Sequence, residues 1–389
     1  MFYYVCLDYF LVWSCYIEMP ERSEEATGPL VLTARPGYSI QRVASAYYGS
    51  NLLVTGASSK CNSSEMFIWS LPPPEERSNA DCSSKSHQTL HFDNGLLLGQ
   101  VFGNGRLMSL EANGTVSMYR CNSDTNFEKI SSETPFQTSS LSNELRFTIS
   151  SSASGSNSSN SRGNEFAHVA IDSQETGRVV VFGLFGDQQS SLEIVQDFNY
   201  APILGNMATA CAVRCSSAGG SPLLVIGDMT GRLHFFDLRL SNIAEPVFTK
   251  AGGAGKPITC IGLHPYSNET VTFGSEDGAI SMMDLRVVSK ETTSSAAGQT
   301  AFQAHNLSVT GIAFDSIEPD RIFSCGSDGL LLEWNWPNQQ TSEEMPTANP
   351  IFSKLGVPLN CLTAESGFNN ATSSTVIAGS AFGEVYVIN

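Results

Sequence analysis

The chain has 389 residues and is strongly acidic, because 38 Asp and Glu outnumber 21 Lys and Arg and give a formal net charge of −17. Binding to the phosphates of DNA or RNA needs clustered Lys and Arg, so this balance argues against a direct nucleic-acid partner. With 41% hydrophobic and 15% charged residues, the chain is long and apolar enough to bury one large core.

The first segment, residues 1–17, is apolar enough to suggest a signal or membrane segment. It lacks a basic start and a small-residue cleavage site, carries Asp8 in its middle, and is short for a membrane span. Residues 1–27 are therefore predicted to be a disordered or mis-assigned N-terminal extension, with a signal peptide as the alternative and no insertion of the protein into a membrane. Residues 28–389 are predicted to form a single repeat domain.

A short motif recurs seven times: a small or acidic residue, a turn glycine, an alternating run and a bulky apolar residue. A seventh copy, which ends at Trp69, has lost the glycine. Each copy is typical of a β-hairpin whose tight turn needs a positive φ. The glycines lie about 50 residues apart, somewhat more than the roughly 40 to 45 of a WD repeat, so the excess is expected in loops. The six turn glycines are Gly114, Gly177, Gly231, Gly278, Gly329 and Gly383.

Such hairpins cannot bury both of their faces alone, whereas four-stranded sheets stacked radially around an axis can. Apolar runs upstream of most copies are predicted to supply the innermost strand of each sheet. The sequence therefore predicts an all-β fold, a seven-bladed WD-repeat β-propeller. The predicted innermost strands are residues 96–101, 207–213, 258–263, 309–314 and 359–363.

The ends of the chain are predicted to close the ring together. The sequence stops at Asn389, directly after the third strand of the last blade. An unpaired strand edge is a liability, and the apolar run 29–35 is the natural donor of a fourth strand. We therefore expect residues 30–34 to pair with residues 384–388; the alternative is a floppy N-terminal arm.

Two segments, 131–164 and 289–299, are rich in Ser, Asn or other small residues. They contain too little apolar surface to order on their own. Both are predicted to be flexible surface insertions between or within blades, the larger lying near 131–164.

The ten cysteines form no paired framework. Cys260, Cys325 and Cys361 fall in predicted strands, where a reduced thiol behaves as a small hydrophobic side chain. This usage favours a reducing compartment.

One blade carries a polar set with the spacing that WD-repeat proteins use to lock a blade: His305, Ser324, Asp328 and Trp334. A buried imidazole, hydroxyl and indole N–H can satisfy one another there, with the Asp fixing the His tautomer. The same residue types could form a catalytic Ser/His/Asp set. The match to the repeat position by position favours the structural interpretation.

The sequence contains no GxSxG, HExxH, CxxC or Walker A motif. Residues 252–257 resemble a phosphate-binding loop, but Lys250 occupies its first glycine position and Pro257 replaces the Ser or Thr that would bind Mg²⁺. No enzymatic activity, cofactor or metal is therefore expected.

The later blades resemble one family of propellers in particular. The resemblance covers residues 256–336 and the tail, about a third of the chain, whereas the first three blades fit by pattern alone. It is carried by Pro257–Pro265, Phe273–Gly278, Met283–Arg286, Ala304–His305, Pro319–Gly329, Val357–Leu362 and Gly383–Val387. These stretches look like the forty-three-kilodalton WD-repeat nucleoporin family. The resemblance implies a non-catalytic scaffold at the nuclear envelope, docked on the α-solenoid nucleoporins of the Y-shaped nuclear pore coat, and in some animals also at kinetochores in mitosis.

A different function is suggested by Asp237-Leu238-Arg239 and Asp284-Leu285-Arg286. Substrate receptors of cullin-RING ubiquitin ligases offer an Arg in such an Asp-x-Arg sequence to their adaptor. The alternative is an ordinary ion pair on the rim of the propeller, and the frequency of Asp-x-Arg in WD repeats favours it.

Overall fold

The structure is a computed structural model in which every regular element of the described residues is a β-strand, so the all-β prediction is confirmed. This part of the chain contains no helix long and apolar enough to cross a membrane. The described residues are 5–7, 10–14, 29–34, 38–48, 50–60, 63–73, 86–93, 95–102, 105–111, 113–122, 126–134, 147–151, 165–172, 178–185, 191–199, 208–214, 223–240, 245–252, 255–265, 267, 269–286, 299–315, 317–318, 320–335, 346–366 and 374–389.

The strands form seven antiparallel blades, each with four strands in order from the centre outwards, as the propeller prediction requires. Blades one to three contain β4 (Ser39–Tyr48), β5 (Asn51–Lys60), β6 (Ser63–Leu71) and β7 (Gln88–Phe92); β8 (Leu96–Phe102), β9 (Arg106–Glu111), β10 (Val116–Cys121) and β11 (Phe127–Glu133); and β12 (Phe147–Ser151), β13 (Glu165–Asp172), β14 (Arg178–Phe185) and β15 (Ser191–Asn199). Blades four and five contain β16 (Ala208–Arg214), β17 (Leu223–Asp228), β18 (Arg232–Asp237) and β19 (Phe248–Ala251); and β20 (Ile258–Leu263), β21 (Thr270–Ser275), β22 (Ala279–Asp284) and β23 (Gln299–Gln303). Blades six and seven contain β24 (Val309–Phe314), β25 (Arg321–Gly326), β26 (Leu330–Asn335) and β27 (Thr347–Ser353); and β28 (Leu359–Ser366), β29 (Ser374–Ser380), β30 (Glu384–Ile388) and β3 (Leu30–Thr33).

The innermost strands pack in sequence around the axis: β4 contacts β8, β8 contacts β12, and so on to β28, which returns to β4. The core lies between neighbouring blades. Between blades six and seven, for example, Phe323 and Leu331 pack with Leu359 and Ala378, all of them fully buried. Each blade thus buries its two faces against its neighbours, which a single hairpin cannot do.

The predicted closure of the ring is confirmed. Strand β3 pairs antiparallel with β30, with Leu30 opposite Val387 and Thr33 opposite Glu384. Leu32 is fully buried in the cluster that joins blades seven and one. The fourth strand of the last blade therefore comes from the beginning of the domain.

The turn glycines have the conformation that the repeat predicts. Gly231, Gly278 and Gly329 have φ values of 76°, 88° and 80°. At Gly329 an added Cβ would also lie 2.3 Å from the carbonyl oxygen of Lys354, so glycine is required there by space as well as by conformation.

One low-complexity segment differs from the sequence prediction, and the other lies almost entirely outside the described residues. The Ser/Asn-rich segment near 131–164 is not one surface insertion, since β11 extends to Glu133 and residues 147–151 form β12, the innermost strand of blade three. In the sequence, Phe147 and Ile149 alternate with polar residues, which is the period-two pattern of a β-strand. The high serine content of the segment obscured this alternation, so the strand was not predicted. Most of the segment 289–299 lies outside the described residues, and Gln299 begins β23.

The N-terminal extension, predicted to be disordered or mis-assigned, contains two short strands among its described residues. These are β1 (Val5–Leu7) and β2 (Phe10–Ser14), which pair with each other as a hairpin. Strand β2 also runs parallel to β23, with Trp13 opposite Phe302, and so extends blade five outwards.

Candidate functional site

A bulge interrupts the pairing of the innermost strand in six of the blades. An extra residue at a bulge is left out of the ladder and its side chain is turned towards a new partner. In four consecutive blades that side chain donates a hydrogen bond to a main-chain carbonyl of the next blade. The donors and acceptors are Thr209 to Ile258 at 2.6 Å, Thr259 to Val309 at 2.5 Å, Thr310 to Leu359 at 2.6 Å and Asn360 to Ile40 at 3.0 Å.

The structure brings together the four predicted lock residues of blade six. Nε2 of His305 lies 2.9 Å from Oγ of Ser324, and the indole N–H of Trp334 donates to the same oxygen at 2.9 Å. Nδ1 of His305 lies 3.1 Å from Oδ1 of Asp328. Ser324 is fully buried, and His305 and Trp334 are almost so. The set thus ties the loop before β24 to the second and third strands of the blade.

The carboxylate of Asp328 is stabilised in its ionised form. Burial raises its pKa, but the hydrogen bond and electrostatic interaction with His305, together with the backbone N–H groups of Asn306 and Leu330, outweigh burial and hold the pKa below its usual value. As the acceptor for Nδ1, the carboxylate of Asp328 fixes the orientation of the His305 imidazole.

A second buried His–Asp pair, in blade four, was missed by the sequence reasoning. Nε2 of His234 lies 3.0 Å from Oδ2 of Asp228, and its Nδ1 lies 3.1 Å from Oγ1 of Thr249. Oδ1 of Asp228 also accepts hydrogen bonds from the backbone N–H groups of Thr230 and Arg232 in the turn. The sequence carried part of the signal, since the third strand of a blade is buried on both faces and a histidine there needs a partner. Which residue supplies that partner depends on the folded side chains.

The two Asp-x-Arg sequences form local ion pairs. The guanidinium of Arg239 donates to both carboxylate oxygens of Asp237, and Arg286 does the same to Asp284. These hydrogen bonds hold the pKa of each aspartate below its usual value. Arg286 additionally lies 3.2 Å from Glu269. Both guanidinium groups remain largely exposed.

The ring has two faces with different contents. Because the strands of each blade alternate in direction, the turns between second and third strands lie on the same face as the loops that lead into the next blade. We call this the turn face. Residues 237–239 and 284–286 follow a third strand and therefore lie on the opposite face. Hydrogen bonds such as Lys354 N to Gly329 O confirm that turn and loop meet on the turn face.

Three thiols of the inner strands, those of Cys211, Cys325 and Cys361, are buried, and that of Cys260 is partly buried. Burial raises the pKa of Cys211, Cys260 and Cys361 to about 12 and that of Cys325 well above its usual value. A thiol of this kind stays protonated and packs as a hydrophobic group. Within the described ranges no cluster of three or more His, Cys, Asp or Glu could hold a metal ion.

Three features define the class of this protein as a WD-repeat β-propeller. They are the seven radial blades, the strand from the beginning of the domain that completes the last blade, and the His–Ser–Asp–Trp set of blade six. No family model matches the chain. It is similar to nucleoporin Nup43 of Mus musculus, with 25% identity over 136 residues, and to nucleoporin Nup43 of Homo sapiens, with 24% identity over 136 residues. Each match covers 35% of this chain and 33% of the relative.

A third relative, the nuclear pore complex protein nup43 of Dictyostelium discoideum, is 23% identical over 120 residues, 31% of this chain and 26% of the relative. The chain therefore matches about a third or less of the length of these curated relatives. The resemblance to the nucleoporin family that the sequence suggested is confirmed by these matches.

Proposed function

We propose that this protein is a non-catalytic scaffold subunit of the nuclear pore complex, which docks on α-solenoid nucleoporins of the Y-shaped coat. The observation that carries this proposal is the similarity to nucleoporin Nup43 in three organisms. The localisation that follows is the nuclear envelope at the pores, with kinetochores as a further site in mitosis.

The geometry of the polar residues supports a structural role. Oγ of Ser324 already accepts the indole N–H of Trp334, faces His305 and is fully buried, so no substrate can reach it. A nucleophile must be accessible to its substrate, and this serine is not. The set that could be taken for a catalytic triad therefore serves to hold a blade together.

The hydrogen bonds between blades support a scaffold. Side chains of the inner strands link blades four, five, six, seven and one in sequence. A ring linked in this way offers rigid surfaces, and rigid surfaces lose little entropy when they bind a partner.

Two experiments test the proposal. A fluorescent fusion of the full chain is expected to mark the nuclear rim in interphase, and the purified protein is expected to bind a purified α-solenoid nucleoporin of the Y-shaped coat in a stable complex. The same protein should not hydrolyse nucleotides, esters or peptides. A diffuse signal together with no binding to any of these nucleoporins would contradict the proposal.

The ubiquitin-ligase alternative is tested by Arg239→Ala combined with Arg286→Ala. In the structure each guanidinium is engaged by its own aspartate, which favours the rim ion pair. The double variant is expected to keep its position at the nuclear rim. Capture of a purified ligase adaptor by the wild type, and its loss in the double variant, would favour the alternative.

A further inference from the structure

The large hydrophobic side chains that the described residues leave most exposed share one face of the ring. Leu355 is 79% exposed, Phe382 60% and Leu307 54%. Leu307 lies in the loop from blade five to six, Leu355 in the loop from blade six to seven, and Phe382 in the turn of blade seven. All three therefore lie on the turn face and follow one another in the order of the ring.

The backbone that carries these side chains is fixed. The N–H of Ser327 donates to the carbonyl of Ser308 at 2.9 Å, and the N–H of Ala381 donates to that of Pro358 at 2.9 Å. His305 N and Lys354 N donate to the carbonyls of the preceding turn glycines, each at 3.0 Å. Turn and loop alternate in this way along the face, so the apolar side chains are presented by a rigid arc. We call Leu307, Leu355 and Phe382 the apolar arc.

An acidic group lies beside the arc. The side chain of Gln303 donates to the carbonyls of both Asp277 and His305, at 2.7 and 2.8 Å, which holds the turn of blade five against the loop that carries Leu307. Glu276 and Asp277 are both exposed in that turn. Next to an apolar surface, these two exposed carboxylates can attract a Lys or Arg of a partner.

We propose that the apolar arc is the docking surface for the α-solenoid partner, and that it receives an exposed helix with apolar side chains flanked by Lys or Arg. This inference rests on the proposed function and adds to it the face of the propeller and the chemistry of the partner. Exposed apolar side chains clustered on a soluble protein mark interaction sites, and a rigid arc costs little entropy to bind. The position of the apolar arc also separates the scaffold function from the ubiquitin-ligase alternative, because Arg239 and Arg286 lie on the opposite face.

The test measures binding of the full chain to purified α-solenoid nucleoporins of the Y-shaped coat, one nucleoporin at a time. The variant Leu355→Asp with Phe382→Asp is expected to weaken binding at least about tenfold, since removal of central apolar contacts commonly has effects of this size. The matched control is Leu240→Asp with Ile317→Asp, which changes exposed side chains of the opposite face, 48% and 38% exposed. It should bind within about twofold of wild type. Unchanged melting temperatures of both variants show that the fold is intact.

A second pair of variants tests the charge. Glu276→Lys, beside the apolar arc, is expected to slow association and to reduce its dependence on salt, because charges near an interface act mainly on the association rate. Glu318→Lys is the control, since Glu318 is exposed on the opposite face. Hydrogen exchange at residues 354–358 and 381–383 should slow in the complex.

The outcomes separate this inference from the function on which it rests. If wild type and both double variants bind equally, or if both double variants lose binding, the arc is not the docking surface and the scaffold function stands. If wild type binds none of the solenoid nucleoporins and does not reach the nuclear rim, the function fails and the inference fails with it.

Discussion

Oγ1 of Thr310 donates a hydrogen bond of 2.6 Å to the carbonyl of Leu359, and this contact joins blade six to blade seven. The two residues are 49 positions apart. Thr310 is the extra residue of a bulge in β24, so its side chain leaves the ladder of its own blade and reaches the next one. Equivalent contacts from Thr209, Thr259 and Asn360 repeat it around the ring.

The first prediction concerns this contact. Thr310→Val keeps the shape of the side chain and removes the donor, so it should lower the free energy of unfolding by about 1 to 2 kcal/mol. Urea unfolding of the full chain measures the change. Thr300→Val is the control, because Thr300 is exposed on the fourth strand of blade five, and it should change stability by less than about 0.5 kcal/mol. Equal effects of the two variants would show that the contact between blades adds no stability.

The second prediction concerns the lock of blade six. Trp334→Phe keeps most of the apolar contacts and removes the indole donor to Ser324, so it should cost about 1 to 3 kcal/mol. In the background Ser324→Ala the same change should cost clearly less, because its partner is already gone. Additive costs in this double-mutant cycle would mean that the indole and the hydroxyl are not coupled.

The third prediction concerns closure of the ring. Leu32→Ala removes a fully buried side chain from the strand that completes blade seven, so it should lower stability by about 2 to 4 kcal/mol. Val31→Ala is the matched control on the exposed side of the same strand and should be nearly neutral.

Truncation tests the same closure. Removal of residues 1–36 deletes β3 and should lower the melting temperature or cause aggregation, whereas removal of residues 1–18 retains β3 and should leave the domain folded. Indistinguishable stability of the two truncations would contradict the closing role of this strand.

The fourth prediction concerns pH. Burial raises the pKa of Glu365, on the innermost strand of blade seven, from 4.5 to about 8. Between these values the folded protein keeps the proton and the unfolded chain has released it, so stability falls as pH rises through this window. Glu365→Gln removes this slope and should stabilise the protein more at pH 8 than at pH 5. Melting temperatures across this range measure the difference, with Glu276→Gln as the exposed control. A gain that does not change with pH would rule out titration of this carboxyl in the folded state.

Much of the propeller was predictable because its blades are built from local signals. The turn glycines Gly231, Gly278 and Gly329 mark hairpins by their conformation alone, and alternation identifies the strands that flank them. The lock of blade six was also recognisable, since His305, Ser324, Asp328 and Trp334 occupy characteristic positions of the repeat. Strand β12 was not recognisable from the sequence. Its apolar residues Phe147 and Ile149 lie within a serine-rich segment, and that composition predicted a flexible insertion although apolar and polar residues alternate there.

What the sequence by itself determined is therefore the number of blades and the turns between their strands. Each of these depends on residues close together in the chain. The tertiary structure alone decided that Thr310 meets Leu359, that His234 is paired with Asp228 and that Leu307, Leu355 and Phe382 share a face. The first and last of these relations join or align blades, so they exist only when all seven blades pack around one axis. The second depends on the rotamer that a side chain adopts once both faces of its strand are buried.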